Sequence, residues 1–231
     1  MQLSVREAAK LLNAPEKTIH RWVKENLIPA HRVNDQIRFN RAELLEWAAA
    51  RKMSVAPEIF TPPQDADEPV PSLLKALISG GIHYHLAGTD KNTVLRAVVD
   101  VMKLPDDVDR EFLYSVLLAR ESLGSTAIGE GIAIPHVRNP IVLHLENPMV
   151  ALCFLSHPID FGAVDSKPVN TLFTLISPTV PTHLQLLSLL MYALQNAEFK
   201  AAVTAQASPE VILAALEAHQ QARHAGGSVG K

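Results

Sequence analysis

Residues 124–138 read Gly-Ser-Thr-Ala-Ile-Gly-Glu-Gly-Ile-Ala-Ile-Pro-His-Val-Arg: three glycines, two hydroxyls and an apolar run ahead of one histidine, with an arginine two residues later. Ile128, Ile132 and Ile134 predict a strand interrupted at Gly129 and Gly131. Glycines inside a strand signal a bulge or a close approach by another backbone or a ligand. Pro135 cannot continue a ladder, so the strand should end there and present His136 at its edge. A histidine held on a stiff strand end, beside free backbone N–H groups, suits acceptance of an anion. A buried strand with an incidental histidine at its end fits the spacing equally well.

The other reactive side chains carry less. His83 and His85 share one face of an alternating segment, Ile82-His83-Tyr84-His85-Leu86, which is the spacing of a metal pair. No cysteine or carboxylate stands nearby to complete a ligand set, so they read as surface histidines, and no metal or cofactor is expected. Pro181-Thr182-His183 opens a predicted helix; with Thr182 as its cap, His183 falls in the first turn beside free backbone donors. His144 and His157 read as loop surface, and Cys153, inside an apolar run, as core.

The elements that must position these groups divide into two modules. The 231 residues allow one large or two small domains, and the net charge of −3 splits into +4 over residues 1–53 and −7 over the remainder. A single cysteine permits no internal disulfide, which fits a reducing compartment. No basic segment followed by an apolar run opens the chain, and no apolar stretch reaches 18 residues; the expectation is a cytoplasmic protein without a signal peptide or a membrane span.

Ser4 and Glu7 form a capping-box pattern that starts a helix through about Leu12. Asn13 tolerates the left-handed conformation of a tight turn, and Pro15 suits the opening of a second helix. In that helix Ile19, Trp22 and Val23 make an apolar face, leaving Lys17, Thr18, His20, Arg21 and Lys24 outward. Two short helices joined at a tight turn are helix-turn-helix geometry, which would aim Lys17, Thr18, Arg21 and Lys24 at a major groove. Residues 31–39 alternate around Asn34-Asp35 as a hairpin wing, with Arg32 and Arg38 available to phosphates. Asn40 then caps a third helix, with Glu43 three residues on and Leu44, Leu45 and Trp47 closing a small core. Residues 54–70 contain four prolines and an acidic run, and read as a semi-extended linker.

Residues 71–224 alternate between helical and strand patterns. Pro71–Ser79 forms a helix stopped at Gly80-Gly81. Thr89 or Asp90 caps another through about Lys103. A third runs from Asp109 to Ser122 with Phe112, Val116, Leu117 and Ala119 inward, and with Arg120 and Glu121 at its end. Residues 149–155 and 169–177 are near-continuous apolar strands, which implies a sheet covered on both faces. Helices follow over 181–194, near 197–204 and from Ser208 to about Gln221; residues 225–231 read as a disordered tail. The fold class is therefore two domains: a small winged helix-turn-helix, mostly α with a β-hairpin, then an α/β sandwich with a mixed sheet flanked by helices.

Two resemblances sharpen this. Residues 3–12, Thr18-Ile19-His20-Arg21-Trp22-Val23 and residues 28–33 resemble the excisionase/MerR-type winged helix-turn-helix. Asn13 and Pro15 replace that family's usual Gly and Ser-like cap, and the wing turn has Asn34-Asp35 where Gly is common. A module of charge +4 would hold DNA weakly alone, so specific binding implies a homodimer on two half-sites. The bland alternative is a helical interaction module with a solvated basic surface.

Residues 119–136, with Pro158-Ile159-Asp160-Phe161, residues 164–169, Thr182-His183-Leu184 and Leu187-Ser188-Leu189, resemble the fructose/mannitol/nitrogen-type IIA domain of the phosphotransferase system. The resemblance implies a phosphocarrier rather than a stand-alone catalyst. His136 would accept a phosphoryl group from phospho-HPr or its nitrogen-branch equivalent, with His183 as the second histidine and Arg120 as the charge partner. A phosphoryl group in flight spreads charge over its oxygens, so the protein mainly positions and stabilises. Ser125, Thr126 and the backbone at Gly129 and Gly131 would hold oxygens, and His183 would donate to the phosphoryl group. Glu130 stands where that family usually has Asn, where it either orients a donor or repels phosphate; Val137, where Gly is common, stiffens the loop. The implied function is a regulatory phosphocarrier whose state is read by DNA or by partner proteins through the N-terminal module. The alternatives are a sugar-transport IIA component feeding a IIB domain, and an interaction protein that keeps only the fold.

Overall fold

The structure is a computed structural model, and it describes residues 2–33, 36–50, 71–106, 108–137 and 145–226. The expected linker over 54–70, the wing turn at Asn34-Asp35, Arg138 and His144 lie outside the described residues.

The N-terminal module opens with β1 (Gln2–Leu3), then α1 (Val5–Leu11) and α2 (Glu16–Lys24). The capping box is complete: Ser4 Oγ accepts from the Glu7 amide at 3.3 Å, and the Ser4 amide donates to Glu7 Oε2 at 2.8 Å. Asn13 takes φ 47°, closing the turn between the helices. Next come β2 (His31–Val33), β3 (Gln36–Asn40) and α3 (Arg41–Ala50). β3 pairs antiparallel with both β2 and β1. The β1 pairing had no signal in the sequence, because a two-residue strand is too short to show alternation. Ile19, Phe39, Leu44 and Ala48 are buried at the centre, with Trp22 and Trp47 packed against them and their rings 5.3 Å apart. Glu43 reaches across to the wing, where His31 Nε2 lies 2.8 Å from its Oε2.

The second module contains α4 (Leu73–Gly80), β4 (Ile82–Leu86), α5 (Lys91–Val101), α6 (Arg110–Ser122), β5 (Ala127–Gly129), β6 (Ile132–Ala133), β7 (Met149–Ile159), β8 (Val169–Ile176), α7 (Val180–Ala193), α8 (Ala197–Thr204) and α9 (Pro209–Gly226). The five strands form one mixed sheet in the order β4-β7-β8-β6-β5. β4 with β7 and β6 with β8 are parallel; the other neighbours are antiparallel. The two-residue period of a strand sends Ala151, Cys153 and Leu155 of β7 into one core under α5 and α6. It sends Val150, Leu152 and Phe154 into a second core under α4, α7 and α9. Gly80 is where α4 meets β7; a Cβ there would lie 2.3 Å from the Val150 carbonyl, so no larger residue fits.

Four sequence expectations change. The strand broken by glycines is a hairpin, β5–β6, whose turn runs through Gly129, Glu130 and Gly131 at φ 89°, 55° and 78°. The inward face of α6 is Leu113, Leu117 and Glu121; Phe112 and Ala119 are exposed, one position out of phase with the expected face. The cap of α7 is Thr179 rather than Thr182: its hydroxyl accepts from the Thr182 amide at 3.2 Å. Finally, α9 continues to Gly226, past the expected start of a disordered tail at 225, and residues 227–231 lie outside the described residues. Where the modules meet, α3 lies against β5 and α7, with Cα atoms within 8 Å.

Candidate functional site

β6 runs parallel to β8, and the chain continues beyond it until His136 bridges to Leu175. Pro135 leaves its carbonyl to the Leu175 amide at 2.9 Å, so His136 is pinned to the C-terminal end of the central strand. The imidazole is 2% exposed. His136 Nδ1 lies 2.7 Å from the Ile134 carbonyl, which can only accept, so Nδ1 carries the ring proton. Nε2 therefore offers a lone pair, and Arg120 Nε donates toward it at 3.3 Å. The Arg120 guanidinium is steadied by Nη1, which donates to the Gly124 carbonyl at 3.0 Å. The third member is His183, 3% exposed, whose ring centroid lies 5.1 Å from that of His136. These three side chains come from the end of β6, the last turn of α6 and the first turn of α7. An imidazole, a guanidinium and a second imidazole gathered at one spot can hold and stabilise an anion such as a phosphoryl group.

The other predicted residues sit as follows. Ser125 and Thr126 adjoin the site, but both hydroxyls are committed as donors within the fold: Ser125 Oγ to the Phe161 carbonyl, and Thr126 Oγ1 to Glu121 Oε2 at 2.7 Å. They shape the loop before β5. Gly129 and Gly131 are not brought to His136. They close the hairpin at the other end of β6; Gly131, the nearer of the two in sequence, is five residues from the histidine, or about 16 Å of extended chain. The Gly131 carbonyl accepts from the amides of Asn170 and Thr171, so this turn anchors the hairpin to β8. Glu130 pairs with Lys200 of α8, and its amide donates to Asp165 Oδ2 at 2.8 Å. Val137 is buried in the core beneath α5 and α6. The His183 amide donates to the Thr179 carbonyl at 3.0 Å and so belongs to the helix ladder; moving the cap back to Thr179 removes the free donors expected beside it.

Two residues at this site have no role in the sequence reading: Glu121, placed there only at the end of its helix and now buried on the last turn of α6, and Lys91, the first residue of α5. A signal existed, since Glu121 continues the buried Leu113–Leu117 stripe at four-residue spacing, where a carboxylate needs partners.

His83 and His85 do not form a metal pair. His83 Nε2 lies 3.1 Å from the Gly80 carbonyl, β4 shifts register after His83, and His85 stands exposed at φ 56°. Among the described residues no group of three His, Cys, Asp or Glu could hold a metal ion. His157 is exposed, although on β7 rather than in a loop. Burial pushes the Cys153 thiol up to about 12. In the N-terminal module Lys17, His20, Arg21 and Lys24 are exposed along α2, and Thr18 is half-buried. On the wing Arg32 is exposed, and half-buried Arg38 donates to Gln36 Oε1.

Residues 78–219 match the family model described as "Phosphoenolpyruvate-dependent sugar phosphotransferase system, EIIA 2". The chain belongs to this EIIA 2 family. Residues 3–52 match a helix-turn-helix domain model. The nitrogen regulatory protein of Pseudomonas aeruginosa is 34% identical over 149 residues, which cover 61% of this chain and 94% of that protein. The fructose-specific EIIABC component of Bacillus subtilis is 29% identical over 143 residues, or 61% of this chain and 22% of that protein. The crystal structure of nitrogen regulatory protein IIA-Ntr from Neisseria meningitidis superposes with a TM-score of 0.55 at 26% identity, covering 62% of this chain and 98% of that one. The IIA domain thus accounts for the second module and the helix-turn-helix for the first. No helix among the described residues is long and apolar enough to cross a membrane.

Proposed function

We propose that this chain is a regulatory phosphocarrier of the nitrogen type, in which His136 accepts a phosphoryl group from a phospho-HPr-type donor. The observation that carries the reading is the tautomer of His136: Nδ1 is tied to the Ile134 carbonyl, leaving Nε2 toward Arg120. The Nε2 lone pair attacks phosphorus as the bond from phosphorus to the donor breaks. No proton has to leave Nε2, and the Ile134 carbonyl holds the Nδ1 proton as the ring gains positive character. Arg120 Nε at 3.3 Å from His136 Nε2 and the His183 ring 5.1 Å from that of His136 support a role for both in donating to the phosphoryl oxygens. The pairing of Glu130 with Lys200 offsets its charge, so it need not repel phosphate.

The state of His136 is read through the helix-turn-helix module, by DNA or by a partner protein. The exposed Lys17, Arg21, Lys24 and Arg32 support contact with phosphates, and the approach of α3 to β5 and α7 supports a physical link between the modules. The near-complete coverage of a nitrogen regulatory protein, against 22% of a sugar transporter, favours regulation over transport.

Incubation with enzyme I, HPr and labelled phosphoenolpyruvate should place label on the wild-type chain and none on His136→Ala. An unlabelled wild type would rule out the phosphocarrier reading, and efficient onward transfer to a IIB domain would favour transport.

A further inference from the structure

We propose that Glu121 is a positioning residue that, together with Lys91, sets Arg120 against the His136 imidazole. The inference rests on the phosphoacceptor reading for its functional consequence, but its geometry stands apart from it. Glu121 is 5% exposed, and a carboxylate is withdrawn from water only where donors replace the water. It has three. Oε2 accepts from the Thr126 amide at 3.0 Å and from the Thr126 hydroxyl at 2.7 Å; Oε1 takes Lys91 Nζ at 3.1 Å.

These partners come from different segments. Thr126 belongs to the loop joining α6 to β5, and Lys91 opens α5. Lys91 Nζ also lies 5.2 Å from the centre of the Phe161 ring, while the Phe161 carbonyl takes the Ser125 hydroxyl. Lys91 and Glu121 therefore hold the 124–127 loop from below, and the Phe161 segment holds it from the side. That loop carries the Gly124 carbonyl, the acceptor that fixes Arg120 Nη1 at 3.0 Å while Arg120 Nε points at His136 Nε2. Glu121 acts through the loop and Arg120. Lys91 also offsets the carboxylate's charge, so that a site built to accept an anion does not face an uncompensated negative group.

Glu121→Gln keeps the size of the side chain and can still accept from Thr126, but it forfeits the ion pair with Lys91. Since a displacement of about 1 Å in a positioning group can cost on the order of 100-fold in rate, phosphoryl acceptance should slow roughly 10- to 100-fold, in kcat rather than in KM for the donor. Thr126→Val and Lys91→Met should act in the same direction, and Lys91→Arg should stay near wild type. In an Arg120→Gln background, Glu121→Gln should add less than about twofold, because residues acting through one another are not additive. Full additivity would overturn the proposal.

Ring nitrogen-15 spectra of the unphosphorylated full-length chain supply the second readout. Glu121→Gln, or Lys91→Met if the former does not fold, should move the His136 Nε2 resonance toward its position in Arg120→Gln. A wild-type resonance in these variants would reduce Glu121 to a stability role and sink the proposal. This measurement needs no phosphoryl transfer. Failure of wild-type labelling would therefore count against the phosphoacceptor reading, while the spectra still decide whether Glu121 sets Arg120.

Discussion

Two nitrogens of one ring are treated differently, and the chemistry of the site follows from that. The Ile134 carbonyl takes Nδ1, which leaves Nε2 on the side where Arg120 arrives, the nitrogen that the proposed phosphoryl acceptance uses. Cys153 shows the opposite use of a reactive group. It lies fully buried near the centre of β7, and burial pushes its thiol up to about 12. The folded chain should therefore resist a disulfide reagent such as DTNB at pH 8, and react with one equivalent per chain once unfolded in guanidinium. The raised value also has a stability consequence. The neutral thiol's contribution is complete below the ordinary thiol value of 9.0 and is lost as pH rises from there toward about 12. Rapid labelling of the native protein would contradict this burial.

Among the elements, helix starts were legible because capping is local. Ser4 with Glu7 caps α1 as the sequence predicts, Asp90 rather than Thr89 caps α5, and Asp109, the expected first residue of α6, is its cap. Backbone and side-chain hydrogen bonds from Ser4 hold the Glu7 carboxyl below its ordinary range, so this cap is intact above that range and is lost as pH falls through the lowered value. Ser4→Ala should cost the N-terminal module about 1 kcal/mol. Trp22 and Trp47 are the only tryptophans and both belong to that module, so the urea midpoint seen by tryptophan fluorescence should fall. An unchanged midpoint would mean that the cap contributes nothing. The start of α7 was less legible, because Thr179 and Thr182 are both capping residues three positions apart. Pro181 fits either frame; what decided between them is the hydroxyl of Thr179 meeting the Thr182 amide. The inward face of α6 was misplaced by one position because Phe112 is large and apolar yet exposed near the start of the helix, while Leu113 turns to the core.

At the scale of the whole molecule, a basic surface and the proposed phosphoacceptor site occupy separate modules that meet where α3 approaches β5 and α7. If α2 meets a phosphate backbone, affinity for a random-sequence duplex should fall steeply with salt, with log K against log salt sloping by about −0.9 per phosphate neutralised. Lys17→Ala with Arg21→Ala should reduce that slope by about 2, and quenching of Trp22 on the same helix gives the signal. A slope untouched by both changes would remove α2 from any nucleic-acid contact.

The sequence by itself determined that a helix-turn-helix module precedes a IIA-type α/β module, and most of the helix starts. It could do so because caps, apolar periodicity and spaced motifs are properties of neighbouring residues. Only the tertiary structure decided that Gly129 and Gly131 turn a hairpin away from His136, that the Ser125 and Thr126 hydroxyls are already spoken for, and that Glu121 and Lys91 meet beneath the loop. Those outcomes depend on hydrogen bonds between residues up to 36 positions apart, whose pairing is set by how the sheet is ordered and which helices cover it. Residues 124–136 carry the proposed acceptor, and the support for that loop comes from α5, α6 and the Phe161 segment packed around it.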